Sequence, residues 1–340
     1  MIFLDFTSKQ LAIIFCSDYV FLKNTLFLNN PLFLLPLKPT TKMLFSKNYL
    51  FLSLVAVSTG IGSYFLYSSN ELEIENKACC AVNEFAKFTT DKEFVNKHSN
   101  PVAFDFTPKY GQMSKVEIEG AEAANVFMVK AKKPTGKYLF VFHEWWGLND
   151  YVKQEVEKYY TDFGQKVNVV AIDLYDGNVA ATKEDAQKYM QGMDNARATA
   201  IVKAITKYAK EQATEQASQP LQLATIGWCF GGSWSLQGSL ISNEYTKATV
   251  MYYGMPETDM ERIKTIKSPV LGIYANKDKW ITPEVMKTFE KSMKQAGKTV
   301  SILGYEADHA FANPSSPAYN ETAAKEARKV TIKFLKKNWL

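Results

Sequence analysis

The chain has 340 residues, of which 46% are hydrophobic and 14% aromatic, enough for a globular fold with a sizeable core. Its net charge of +5 is spread without a basic stripe, which argues against nucleic acid as a partner. The four cysteines (Cys16, Cys79, Cys80 and Cys229) are too few for a disulfide framework, and their spacing matches no zinc site.

Residues 1–42 are rich in Phe, Leu, Asn and Lys and show no clear period, whereas Met43 opens a second, more ordinary N-terminus. The expectation is that 1–42 is a gene-model extension or a disordered leader and that Met43 is the true start. Residues 43–68 read as a signal peptide or membrane anchor, because the apolar run from Tyr49 to Tyr67 is about long enough to span a bilayer. Lys42 and Lys47 precede it and Glu71, Glu73 and Glu75 follow, so the positive-inside tendency leaves the bulk of the chain outside the cytoplasm. The expected location is therefore periplasmic or extracytoplasmic, secreted or tethered through residues 49–67, and cytoplasmic only if this segment is not a targeting signal. Residues 69–100, polar and helix-tolerant, read as a stalk.

From residue 101 to 340 the pattern is one catalytic-type domain. Lys115–Glu119 and Val126–Lys130 alternate apolar and polar as half-buried strands do, and predict an antiparallel edge. Apolar strands are predicted at 138–142, 167–172, 221–226, 248–253, 270–275 and 300–305, separated by helices at 150–163, 183–211 with a break near Gly192, 231–242, 283–296 and 321–338. Strands alternating with helices predict a mostly parallel α/β sheet covered on both faces.

One stretch organises the rest: Thr225-Ile226-Gly227-Trp228-Cys229-Phe230-Gly231-Gly232, a cysteine between a strand and a small-residue helix. This is the layout of a nucleophile elbow with Cys in place of the more usual Ser. Gly227 and Gly231 remove side chains that so tight a turn would force together. The following helix aims its N-terminal N–H groups at the sulfur, which is expected to lower the thiol pKa.

Functional groups in such sheets gather at the carboxyl ends of strands, where Glu144, Cys229, Asp278 and His309 all fall. The order nucleophile, acid, histidine is that of an α/β-hydrolase. His309 is the candidate base and Asp278 the carboxylate that orients it; the N–H groups of Phe230 and Trp145 are candidate oxyanion donors. Asp173 is a rival acid but precedes the elbow, so a structural role is expected. His143-Glu144 evokes the zinc pattern His-Glu-x-x-His, yet position 147 is Gly, and a zinc protease is rejected.

These motifs, His143-Glu144-Trp145-Trp146-Gly147, Asp173-Leu174-Tyr175, Gly227 to Gly232, Lys277-Asp278 and His309-Ala310-Phe311, together resemble the dienelactone hydrolase family over roughly residues 110–340. The resemblance implies an α/β-hydrolase fold, a Cys–His–Asp triad, a glutamate near the thiol that pairs with it, here Glu144, no cofactor or metal, and hydrolysis of a small ester or lactone through a thioester. It also implies an arginine that holds a substrate carboxylate four residues after the histidine; here that position is Asn313. Trp146, Trp228, Tyr252, Asn313 and Lys183 are the candidate substrate contacts, with Tyr253 beside Tyr252 as a further candidate lining residue. A broad carboxylesterase or thioesterase with the same triad, and a non-catalytic binding protein that keeps the fold, are the alternatives. A monomer acting on a small molecule is expected.

Overall fold

The computed structural model describes residues 82–340 in full, and ahead of them only the backbone of short segments. Four of these, β1 (Ile2–Phe6), β2 (Lys9–Cys16), β3 (Tyr19–Asn24) and β4 (Phe33–Pro36), form an antiparallel sheet in chain order within a unit of residues 1–68. The expected signal or anchor at 43–68 lies outside the described residues. Among the described residues, no helix is long and apolar enough to cross a membrane.

The second unit, Ser69–Leu340, is built on an eight-stranded sheet. Its strands are β5 (Gln112–Ile118), β6 (Ala121–Val129), β7 (Lys137–Phe142), β8 (Asn168–Ile172), β9 (Gln222–Trp228), β10 (Thr246–Tyr252), β11 (Val270–Ala275) and β12 (Val300–Tyr305). The spatial order is β12-β11-β10-β9-β7-β8-β6-β5. The strands from β12 to β8 pair in parallel, while β6 joins β8 and β5 joins β6 antiparallel, as the alternating pattern of the first two predicts. β7 and β8 read as unbroken apolar runs because helices cover both faces. Every side chain of β8, and all but the first of β7, is buried.

The helices follow the predicted alternation: α3 (Asp150–Asp162), α4 (Lys183–Gln191), α5 (Asn195–Ala217), α6 (Phe230–Ile241), α7 (Met260–Thr265), α8 (Pro283–Gln295) and α9 (Glu321–Asn338). The break foreseen near Gly192 is the junction of α4 and α5, where Gly192 caps one helix and the Asp194 carboxylate caps the next. The short α7 was not foreseen; Asp259 caps it, and Arg262 within it pairs with buried Glu257 at 2.6 Å.

From residue 80 onward the expected stalk at 69–100 is corrected by the fold; 69–79 lie outside the described residues. Residues 80–98 form α1 (Cys80–Lys87), a 3-10 turn at Phe88–Thr90 and α2 (Lys92–Lys97), and they lie on the catalytic domain. Val82, Phe85 and Phe94 are fully buried there. Burying each such side chain contributes about 1.5–3 kcal/mol, which holds down a segment whose mean composition is polar. The catalytic domain thus begins at least at Val82 rather than at residue 101.

Candidate active site

The elbow forms where β9 meets α6. Cys229 adopts φ 57° and ψ −123°, a conformation that side chains rarely tolerate, and its N–H donates to the Tyr252 carbonyl at 3.0 Å. A Cβ on Gly227 would lie 1.9 Å from the Gly231 carbonyl oxygen, and one on Gly231 would lie 2.3 Å from that of His143. Backbone cannot yield there, so both glycines are required by the turn.

Strand ends then bring the partners together. His309 Nε2 lies 3.4 Å from Cys229 Sγ, and His309 Nδ1 lies 2.6 Å from Asp278 Oδ2. A carboxylate only accepts, so Nδ1 carries the proton and Nε2 faces the sulfur. Asp278 is itself fixed, its Oδ1 accepting from the N–H groups of Trp280 and Ile281 at 2.9 and 3.0 Å. Burial alone would depress the His309 imidazole, but Asp278 and the thiol beside it hold its pKa well above the ordinary value. Burial would likewise raise Asp278, yet the imidazole charge and the hydrogen bonds hold it below its usual range.

Glu144, just past β7, is buried at 8% exposure. Its carboxyl accepts from the Tyr253 hydroxyl at 3.3 Å and from the Asn313 amide. Burial pushes it up to about 7, with the His309 charge and these two donors pulling the other way. The folded state therefore keeps a proton that the unfolded chain releases near 4.5. That stability is complete below about 4.5 and is lost as pH rises through about 7. Urea midpoints measured across this window are expected to fall in the wild type, with this component absent from Glu144→Gln.

The profile of the Dienelactone hydrolase family matches residues 124–339, well over half of the chain and the whole of this constellation. The chain belongs to the dienelactone hydrolase family. It is accordingly a hydrolase acting on ester or lactone bonds. It is 28% identical over 232 residues to Protein usf of Aquifex pyrophilus, spanning 66% of this chain and 98% of that one. With a putative carboxymethylenebutenolidase of Aquifex aeolicus (strain VF5) it shares 27% identity over 233 residues, again 66% and 98% of the two chains. The crystal structure of a putative dienelactone hydrolase from Klebsiella pneumoniae subsp. pneumoniae MGH 78578 superposes with a TM-score of 0.55 at 19% identity, covering 67% of this chain and 100% of that one, a likeness of fold.

Several expected features of this dienelactone hydrolase family member are corrected by its geometry. The Cys229 thiol is raised, not lowered: burial at 1% exposure outweighs the His309 charge and the Phe230 N–H, and the Glu144 carboxyl adds to the rise. Among the described residues, the hydrogen bonds of Glu144 run to Tyr253 and Asn313 while the thiol is held by His309, so the glutamate is a neighbour of the sulfur and not its hydrogen-bond partner. Trp228 and Tyr252 are register partners on adjacent parallel strands and so point to one face of the sheet. That face is away from the site: their rings pack together with Tyr159, and the Tyr252 hydroxyl meets Thr331 of α9 at 2.6 Å. Tyr253, the other expected lining residue, does reach the site: it is one past the strand and hence on the other side, and its ring stands 5.1 Å from that of His309. Asn313 holds Glu144 through Nδ2 and binds Ser315 through Oδ1, which leaves no cation in the place of the family's carboxylate clamp. Lys183 Nζ donates to Asn96 at 2.9 Å, so it ties down the segment before residue 101 rather than facing a substrate.

Trp146 lines a small cavity of about 10 Å³ beside the site, with Ala310, Asn313, Ser315, His98 and Ser99. Asp173 is structural as expected, its carboxylate accepting from the N–H groups of Tyr175 and Gly177. His143 is occupied on both nitrogens, Nδ1–H donating to the Glu144 carbonyl at 2.6 Å and Nε2 accepting from the Leu174 N–H at 3.1 Å. It locks the loop that carries Glu144 and Trp145.

Sequence reasoning missed the cover. Phe85 and Phe94 approach the His309 ring at 6.4 and 5.9 Å, and His98 at 5.4 Å. Hydrogen bonds pin this cover at its margins: Trp280 Nε1 donates to Asp91 at 2.9 Å, Lys279 pairs with Glu93, and Gln187 donates to the Thr89 carbonyl at 2.6 Å. The available signal was Val82, Phe85 and Phe88 at helical spacing, followed by Asp91 as a helix cap. Cys229 is only 1% exposed, so a wall must move before an ester reaches the thiol. Loosening the cover with Asp91→Ala or Trp280→Phe is expected to raise kcat/KM several-fold in steady-state assays; unchanged kinetics would mean that another wall opens.

Proposed function

We propose that this chain hydrolyses a small ester or lactone through a thioester on Cys229. The observation that carries the reading is the continuous chain Sγ–Nε2, Nδ1–Oδ2, at 3.4 and 2.6 Å. Sγ attacks the substrate carbonyl, a carbon–sulfur bond forms, and the thiol proton passes to His309 Nε2. The N–H of Phe230, at the start of α6, and that of Trp145 are the donors proposed for the oxyanion. Collapse breaks the carbon–oxygen bond, and the leaving alkoxide takes the proton from His309. A water then gives a proton to Nε2 and attacks the thioester. The acid leaves and the proton returns to the sulfur.

The substrate is small and largely apolar, because Trp145, Trp146 and Phe94 wall the site. Asn313, in the place of the family's arginine, leaves a substrate carboxylate without a counter-charge, so a neutral ester or lactone is favoured over dienelactone itself. The apolar run 49–67 supports placing the enzyme outside the cytoplasm, tethered or released. The test is a panel of neutral and carboxylated lactones and simple aryl esters, with rapid acid quench and peptide mass spectrometry. An acyl group is expected on the peptide containing Cys229. Turnover without any acyl-enzyme would overturn the covalent route, and equal rates across the panel would favour a broad carboxylesterase.

A further inference from the structure

His98 is unused by the chemistry above and is unusual in its surroundings. It stands at the end of α2, 7% exposed, with its ring 4.6 Å from that of Trp145. Nδ1 lies 2.7 Å from the Phe94 carbonyl, which can only accept, so Nδ1 carries the proton and Nε2 holds a lone pair. That Nε2 is buried and has no partner in the protein. Burial, then the His309 charge, pushes the imidazole down to about 3, so it is neutral at ordinary pH. One ligand atom each from His98, Cys229 and His309 lie within 4.8 Å of one another.

We propose that these three residues form an inhibitory site for a borderline-soft divalent metal such as zinc. Two imidazoles and a thiolate are a zinc donor set, and tetrahedral bonds of about 2.0–2.3 Å put ligand atoms ~3.3–3.6 Å apart. Sγ and His309 Nε2, at 3.4 Å, already have that spacing. His98, whose ligand atom lies within 4.8 Å of the other two, needs to approach by up to about 1.5 Å. Both imidazoles have Nδ1–H committed to an oxygen, Asp278 for one and Phe94 for the other, the arrangement that orients histidine ligands in metal sites.

The proton balance is simple. Thiol and His309 share one proton between them; the metal takes a lone pair from each, and that proton leaves to solvent. Occupancy removes nucleophile and base together, and because His98 belongs to the cover while Cys229 and His309 follow strands of the sheet, it also fastens the cover shut. Binding therefore weakens as pH falls, and the metal-loaded enzyme is inactive. The inhibition rests on the hydrolytic reading above; the binding does not.

Cobalt(II) titration of the full chain tests the site without any assay of turnover. About one equivalent is expected to raise a thiolate-to-cobalt charge-transfer band, lost on adding zinc and absent from Cys229→Ala. Cys16, Cys79 and Cys80 remain in that variant, so a band that survives there would overturn the assignment. His98→Phe and the smaller His98→Asn, each checked for folding by circular dichroism, are expected to weaken zinc binding at least ~10-fold, since even partners of metal ligands cost that much when removed. The zinc midpoint for inhibition should shift by the same factor. Unchanged zinc affinity in both variants, or no band at stoichiometric cobalt, would refute the proposal. A normal cobalt spectrum in a protein that hydrolyses nothing would leave the metal site standing and sink only the esterase reading.

Discussion

Cys229→Ala is expected to abolish turnover of any ester substrate to the level of the buffer reaction, while the protein remains folded. Alanine has the same backbone demands at φ 57° and keeps the N–H bond to Tyr252, so the elbow is preserved and only the sulfur is lost. Removing a nucleophile from an enzyme of this type costs on the order of 10⁶ in kcat. Cys229→Ser separates the chemistry from the geometry. A hydroxyl is far less acidic than a thiol, so giving its proton to His309 is harder, and serine is expected to retain only a small fraction of the rate. Initial rates on the best substrate of the panel, with a thermal melt of each variant, check both. Full activity in Cys229→Ala would end the triad assignment.

Asp278→Asn carries the second largest expected effect. The isosteric amide keeps Oδ1 for the Trp280 and Ile281 N–H groups, so the turn after β11 stays in place. What changes is the atom facing His309 Nδ1 at 2.6 Å. An amide NH₂ there donates, so it forces the proton from Nδ1 to Nε2 and leaves no lone pair toward the sulfur. A loss of about 10⁴ in kcat is expected, the scale seen when a buried triad aspartate is made an asparagine. The imidazole pKa should also fall, because the carboxylate that holds it up is gone. NMR titration of the His309 ring would read that fall independently of rate. An imidazole pKa unmoved by the substitution would mean that Asp278 is a structural cap alone.

Cys229, Asp278 and His309 were legible from the sequence because each lies within a few residues of a strand end, and strand ends in a parallel sheet converge. Gly227 and Gly231 marked the elbow, since no other residue fits against the Gly231 and His143 carbonyls. The sheet was legible because its strands are short, apolar and spaced by amphipathic helices. Trp228 and Tyr252 went astray for a reason of parity: one residue along a strand reverses the face, and a motif does not show which face holds the site. The net effect on the thiol pKa was also beyond motif reading. A helix N-terminus at the sulfur was foreseeable, but burial depends on what covers it, and the cover comes from residues more than 130 positions earlier in the chain.

By itself, the order of residues determined the α/β alternation, the strained elbow and the choice of Cys229, His309 and Asp278 as the residues that come together, because those follow from local pattern and chain order. Only the tertiary structure decided that 82–98 is a cover and not a stalk, that Asn313 and Tyr253 hold Glu144, and that His98 faces the catalytic pair. Such contacts join segments far apart in sequence, where burial depends on the facing surface and composition alone does not reveal it.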